Sequence, residues 1–229
     1  MKQESVVQQV QQAIKHAAQD EENLTSSGRL ATPVVRDISK THFRQIKHLD
    51  KDAVFELCEA LLELGRWPEQ TIAFDWAFRQ RRQYEVEDFA TFERWLRDYV
   101  NGWGSCDDFC THAFGSLLLQ YPDLMPNVMA WTESDNRWLR RAAAVALLYS
   151  IRRDENVVAA FRVADRLLLD EDDMVQKGYG WLLKEIGKRV DAQRVFDYVM
   201  AHKAEMPRTA LRYAIEKLPP EMRERAMEK

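Results

Sequence analysis

Between positions 101 and 112 the chain reads NGWGSCDDFCTH, which places a glycine-flanked tryptophan, two cysteines, two adjacent carboxylates and a histidine at the start of an apolar-periodic segment. Four chemistries are open to that set. A metal site would use Cys106, Cys110 and His112 as a C-x3-C-x-H set. On a helix, however, 106 and 110 share a face while 112 points away, and no second ligand cluster completes a tetrahedron. The segment is therefore read without a metal, and without a cofactor. A thiol pair at i,i+4 is poorly placed for an intramolecular disulfide. A helix cap would have Ser105 as N-cap with Asp107 and Asp108 in the first turn, where the helix end favours negative charge. The fourth reading builds on the cap: an ionised carboxylate at Asp107, four residues after the Trp103 ring, suits a developing positive charge such as an oxocarbenium ion at a sugar C1.

Cations recur further along. Arg140 and Arg141 are followed by Lys177, then by Arg208 and Arg212, with Arg152, Arg153, Lys184, Lys188 and Arg189 nearby. Any one of these is ordinary on a solvated helix face. The repetition of a cation beside small residues, Arg141-Ala-Ala-Ala and Lys177-Gly-Tyr-Gly, is harder to dismiss, because small neighbours admit a backbone or a ligand. Trp76, Trp95 and Trp131 fit apolar helix faces and read as core. Trp103 and Trp181 adjoin glycines and polar residues, where an indole face can meet a sugar or base as readily as pack.

The elements that must position these residues are helices. The 229 residues are 46% hydrophobic and 31% charged, with only 8 glycines and 7 prolines. Apolar residues recur at three- and four-residue spacing in VFELCEALLEL, FERWLRDYV and WLRRAAAVALLYSI. Asp50 reads as an N-cap and Gly65 as a stop, and Pro68, Pro122, Pro126, Pro207 and Pro219 mark helix boundaries. WLRRAAAVALL lies over MVQKGYGWLLK with Arg141 on Lys177, 36 residues apart. Lys177 then meets Arg208 after 31, and Trp103 precedes Trp138 by 35. A period in the thirties predicts an α-solenoid of HEAT-like helical pairs with a curved concave groove; a non-repeating bundle is the alternative. The expectation is one domain over 1–229: an N-terminal helix within 1–27, a core over 28–218 and a C-terminal tail over 219–229.

A net charge of −4 excludes a protein that coats nucleic acid indiscriminately and requires any polyanion to meet one segregated basic face. No apolar run of membrane-spanning or signal-peptide length is present, and three cysteines cannot all pair. The expected setting is cytoplasmic, associated with the nucleoid when acting on DNA, as a monomer and without membrane contact.

W-x-x-x-D at Trp103 to Asp107, D-N-x-W-L-x-R-x-A at Asp135 to Ala143 and V-Q-K-x-x-G-W-x-L-x-E at Val175 to Glu185 together resemble the DNA alkylation repair family of AlkD-type glycosylases. The resemblance runs from about Pro33 to about Leu218. It implies a HEAT-like array gripping duplex DNA, and hydrolysis of the N-glycosidic bond of N3- or N7-alkylated purines to leave an abasic site. It puts the catalytic carboxylate on Asp107, the lesion-facing tryptophans on Trp103 and Trp181, and the active-site arginine on Arg141, holding a phosphate. Arg36, Trp138, Arg140, Lys177, Lys184, Arg208 and Arg212 are the expected DNA contacts. Near the amino end the chain departs from the pattern, with no aromatic between Leu24 and Pro33. The competing functions are a catalytically weak binder of DNA structure and a solenoid scaffold whose groove takes a peptide.

Overall fold

A computed structural model describes residues 5–228; Met1 to Glu4, the first residues of the expected 1–27 segment, and Lys229 lie outside them. The described residues are all-α, and their only β feature is a single bridge between Leu24 and Leu30. The chain divides into two compact units, Met1–Glu85 and Val86–Lys229.

The first unit holds α1 (Val6–Ala17), α2 (Thr32–Ile46), α3 (Lys51–Leu62) and α4 (Trp67–Arg79). Their ends follow the predicted signals. The Asp50 carboxylate accepts from the Ala53 N–H at 2.8 Å, and α3 is followed by Gly65 at φ +68°, a backbone state that costs a side-chain-bearing residue energy. Pro68 sits in the first turn of α4, where its missing N–H is no loss. Helices α2 and α3 both pack on α4, whose Trp76 is fully buried and donates its indole N–H to the Ser39 carbonyl at 3.1 Å.

The second unit holds α5 (Asp88–Asp98), α6 (Trp103–Phe109), α7 (Gly115–Gln120), α8 (Met125–Trp131), α9 (Arg137–Val145), α10 (Leu148–Ile151), α11 (Val157–Leu167), α12 (Asp173–Arg189), α13 (Ala192–His202), α14 (Arg208–Ile215) and α15 (Pro220–Met227). The expected tail is thus helical through Met227. One row runs α6 against α9, α9 against α12 and α12 against α14, while α8, α11 and α13 pack behind it. This is the stacked-pair arrangement that the repeat predicts, since no single pair can cover its own apolar face. Close approach depends on glycine: a Cβ at Gly180 would stand 2.7 Å from the Tyr213 Cβ and 2.9 Å from the Ala210 carbonyl. Only a bare backbone lets α12 and α14 meet there.

Candidate active site

α6 is seven residues long, and its two faces have different work. Ser105, Cys106 and Phe109 are buried. Phe109 lies 5.2 Å from Phe92 and 5.4 Å from Phe114 by ring centroid, and Phe114 lies 5.0 Å from Trp131, so an aromatic cluster anchors α6 from behind. The other face carries Trp103, at 59% exposure, and Asp107 one turn later. Residues 110–114 continue as a single π-helical turn, a wider turn of the kind often found beside functional groups.

The cap expectation needs correcting. The N-cap is Gly102, Ser105 donates its hydroxyl to the Gly102 carbonyl at 3.3 Å, and Asp107 lies beyond the first turn. What meets the Asp107 carboxylate is a side chain from the next helix in the row. Arg141 of α9 forks onto it, Nε to Oδ1 at 2.8 Å and Nη2 to Oδ2 at 2.9 Å, and Nη1 donates to the Met174 carbonyl of α12. Arg141 is 5% exposed, with its stem against Gly178, where a Cβ would come within 3.3 Å of its Cγ. Burial disfavours the guanidinium cation, but hydrogen bonds and charge from Asp107 outweigh it and hold the Arg141 pKa above its ordinary value. Three of the five Arg141 N–H bonds are thus turned to partners inside the protein, two of them on the Asp107 carboxylate.

Trp103, Asp107 and Arg141 line one cleft of about 290 Å³ with Met174, Lys177 and Trp181 of α12 and Tyr213 of α14. The four expected catalytic residues therefore meet, drawn from three helices. Met174 and Tyr213 were missed in the sequence reading. The signal for Tyr213 was its offset of 32 from Trp181, inside the repeat period. Trp76 and Trp131 satisfy their indole N–H groups within the protein. Trp103 and Trp181 make no such bond among the described residues. Cys106 and Cys110 are buried, and burial pushes the Cys110 thiol well above its usual range. His112 instead turns to the Asp108 carbonyl at 2.8 Å, and among the described residues no cluster of three metal-ligating side chains forms.

Of the remaining expected contacts, Lys177 alone lines the cleft. Arg140 forms an ion pair with Asp170 at 2.7 Å and also donates to the Ser134 and Asp135 carbonyls. Lys177, in the lining, pairs with Asp173, and Lys184 pairs with Glu216 at 3.0 Å. Arg208 and Arg212 are exposed and hold no carboxylate among the described residues. Trp138 is half-buried under the Arg137 guanidinium, 5.2 Å from the ring centre. In the first unit, Arg36 lies 3.7 Å from Asp75 and donates to the Thr71 carbonyl. There too the segment without an aromatic gains one from α4, for the Arg29 guanidinium lies 4.6 Å over the Trp67 ring.

The family model for DNA alkylation repair enzymes matches residues 6–218. The chain belongs to that family. A solved structure described as a predicted DNA alkylation repair enzyme from Enterococcus faecalis shares the fold, with a TM-score of 0.72 at 19% identity over 94% of this chain and 95% of that one. No curated protein matches. The family model reaches across all three helices that carry Trp103, Asp107, Arg141 and Trp181.

Proposed function

We propose that this member of the family is a monofunctional DNA glycosylase that hydrolyses the N-glycosidic bond of N3- or N7-alkylated purines in duplex DNA and leaves an abasic site. The observation that carries the reading is the cleft in which a carboxylate, held by a buried arginine, faces two indoles whose N–H groups the protein leaves unused.

The chemistry follows from what the lining lacks as well as what it holds. Asp107 is its one carboxyl group, and it contains no histidine. Such a site is ill-equipped to protonate a neutral leaving base. A purine alkylated at N3 or N7 is already cationic and departs as a neutral base when the C1′–N bond breaks, so no general acid is required. What remains is to stabilise the deoxyribosyl cation and deliver water. The Arg141 fork takes two of the roughly four acceptor positions on the Asp107 carboxylate, leaving others for a water molecule. The same fork fixes the carboxylate plane before reaction, so little reorganisation accompanies charge development. Neutralisation by the guanidinium weakens the carboxylate's field, which suits an activated substrate and not an unmodified nucleotide. The indole faces of Trp103 and Trp181 offer cation-friendly contact to the sugar.

The test is product identity. Incubated with methylated duplex DNA and no added metal, the protein is expected to release free 7-methylguanine and 3-methyladenine, detected by chromatography, and to leave alkali-labile abasic sites. DNA binding without base release would favour the non-catalytic DNA-structure binder.

A further inference from the structure

Arg141 spends three of its five N–H bonds on Asp107 and Met174, so other groups in the cleft are freer to hold DNA. Besides the two indole N–H groups, two donors in the lining are available. The Lys177 ammonium carries three N–H bonds and its carboxylate partner, Asp173, is an exposed i,i+4 neighbour, a pairing of little net strength that a phosphate can replace. The second is the hydroxyl of Tyr213. Two buried tyrosines satisfy theirs internally: Tyr84 donates to the Ala77 carbonyl at 2.7 Å and Tyr179 to the Leu168 carbonyl at 2.9 Å. The half-buried Tyr213 makes no hydrogen bond among the described residues.

Its ring is firmly held nonetheless. The Tyr213 Cβ abuts the bare backbone of Gly180, and the Lys184 ammonium stands 5.4 Å over the ring while pairing with Glu216. A tyrosine fixed at its stem, with its polar tip unused in a cleft beside a lysine, is built to donate to an anion. The geometry points to Tyr213 as a substrate-binding residue whose hydroxyl, with Lys177, holds the DNA phosphate next to the damaged nucleotide. This inference rests on the cleft being the lesion site. It gives Tyr213 and Lys177 a phosphate contact, where Arg141 was the expected holder. A phosphate fixed there sets the position of the sugar over Asp107, since backbone contacts supply register.

The experiment is a binding cycle on a duplex oligonucleotide carrying a tetrahydrofuran abasic-site analogue, with neutral methylphosphonate placed at each flanking phosphate in turn. Tyr213→Phe keeps the ring and its contact with Lys184, and its thermal melting should match the wild type. A hydrogen bond to a charged oxygen makes the expected loss on unmodified backbone roughly ten- to a hundredfold in Kd. At one flanking position the wild type should lose at least a similar factor on methylphosphonate substitution, and Tyr213→Phe should lose clearly less there, keeping only the Lys177 contact. Lys177→Gln should show a reduced sensitivity at that same position. Wild-type affinity in Tyr213→Phe, or equal sensitivity of variant and wild type at every position, would overturn the assignment. Because the cycle reads binding alone, a wild type that binds but releases no base would sink the glycosylase reading while the cycle still decides the phosphate contact. Absence of any wild-type binding would overturn both.

Discussion

Deleting the Arg141 guanidinium would strand the Asp107 carboxylate in a cleft whose nearest counter-charge is gone. Breaking a buried pair from one side is costly because the surviving charge stays desolvated. Arg141 is 5% exposed, so Arg141→Ala should lower the free energy of unfolding by about 3 kcal/mol, measured by urea denaturation. Arg141→Lys should recover only part of the loss, because an ammonium cannot fork onto both oxygens. A change within about 0.5 kcal/mol for Arg141→Ala would mean that the pair is looser than its geometry indicates. At this scale the sequence was informative about which residues meet and silent about what they do to one another. Spacing on one helix related Trp103 to Asp107. Nothing local related Asp107 to Arg141, 34 residues away, and so a short-range cap was assigned to a carboxylate whose partner is long-range.

Helix α12 is the element on which the site depends, since it carries Lys177 and Trp181, gives its Met174 carbonyl to Arg141 and opens space for neighbours at Gly178 and Gly180. Its amino end is held by Asp172, which accepts the Met174 N–H at 2.8 Å and the Arg137 guanidinium at 2.6 Å. Partial burial raises the Asp172 pKa, but the backbone N–H groups of Met174 and Val175 and the charge of Arg137 pull harder and leave it below the ordinary carboxylate value of 3.8. A lowered folded-state pKa means stability that is present above the unfolded value and lost as the pH falls through the folded one. Asp172→Asn should therefore cost stability at pH 7, by about 1 kcal/mol, with the difference from wild type shrinking below pH 4 in denaturant titrations. A difference that is flat with pH would show that the charge contributes nothing. The helical character and most boundaries of such elements were legible, because caps, prolines and apolar spacing are local. The register between repeats was not. Matching cations set Lys177 on Arg208, whereas the observed approach is Gly180 on Ala210 and Tyr213, because small residues and not surface charges decide how closely helices pack. Tyr213 was overlooked for that reason.

Across the whole chain, a net charge of −4 has to coexist with binding to a polyanion. Several of the expected contact cations are held by carboxylates: Arg140 by Asp170, Lys177 by Asp173 and Lys184 by Glu216. DNA would have to displace the exposed partners, while Arg208 and Arg212 are open to it without exchange among the described residues. No helix among the described residues is long and apolar enough to cross a membrane. The central claim is that one carboxylate, set by one buried arginine, performs the chemistry while other residues do the binding. Asp107→Asn tests it most directly, because an amide keeps the size of the group and discards its charge. In single-turnover assays on a duplex containing one 7-methylguanine, the account predicts a fall in base-release rate of at least about 100-fold, the scale of losing an electrostatic stabiliser, with Kd for the same duplex within a few-fold of wild type. Release at close to the wild-type rate by Asp107→Asn would contradict it.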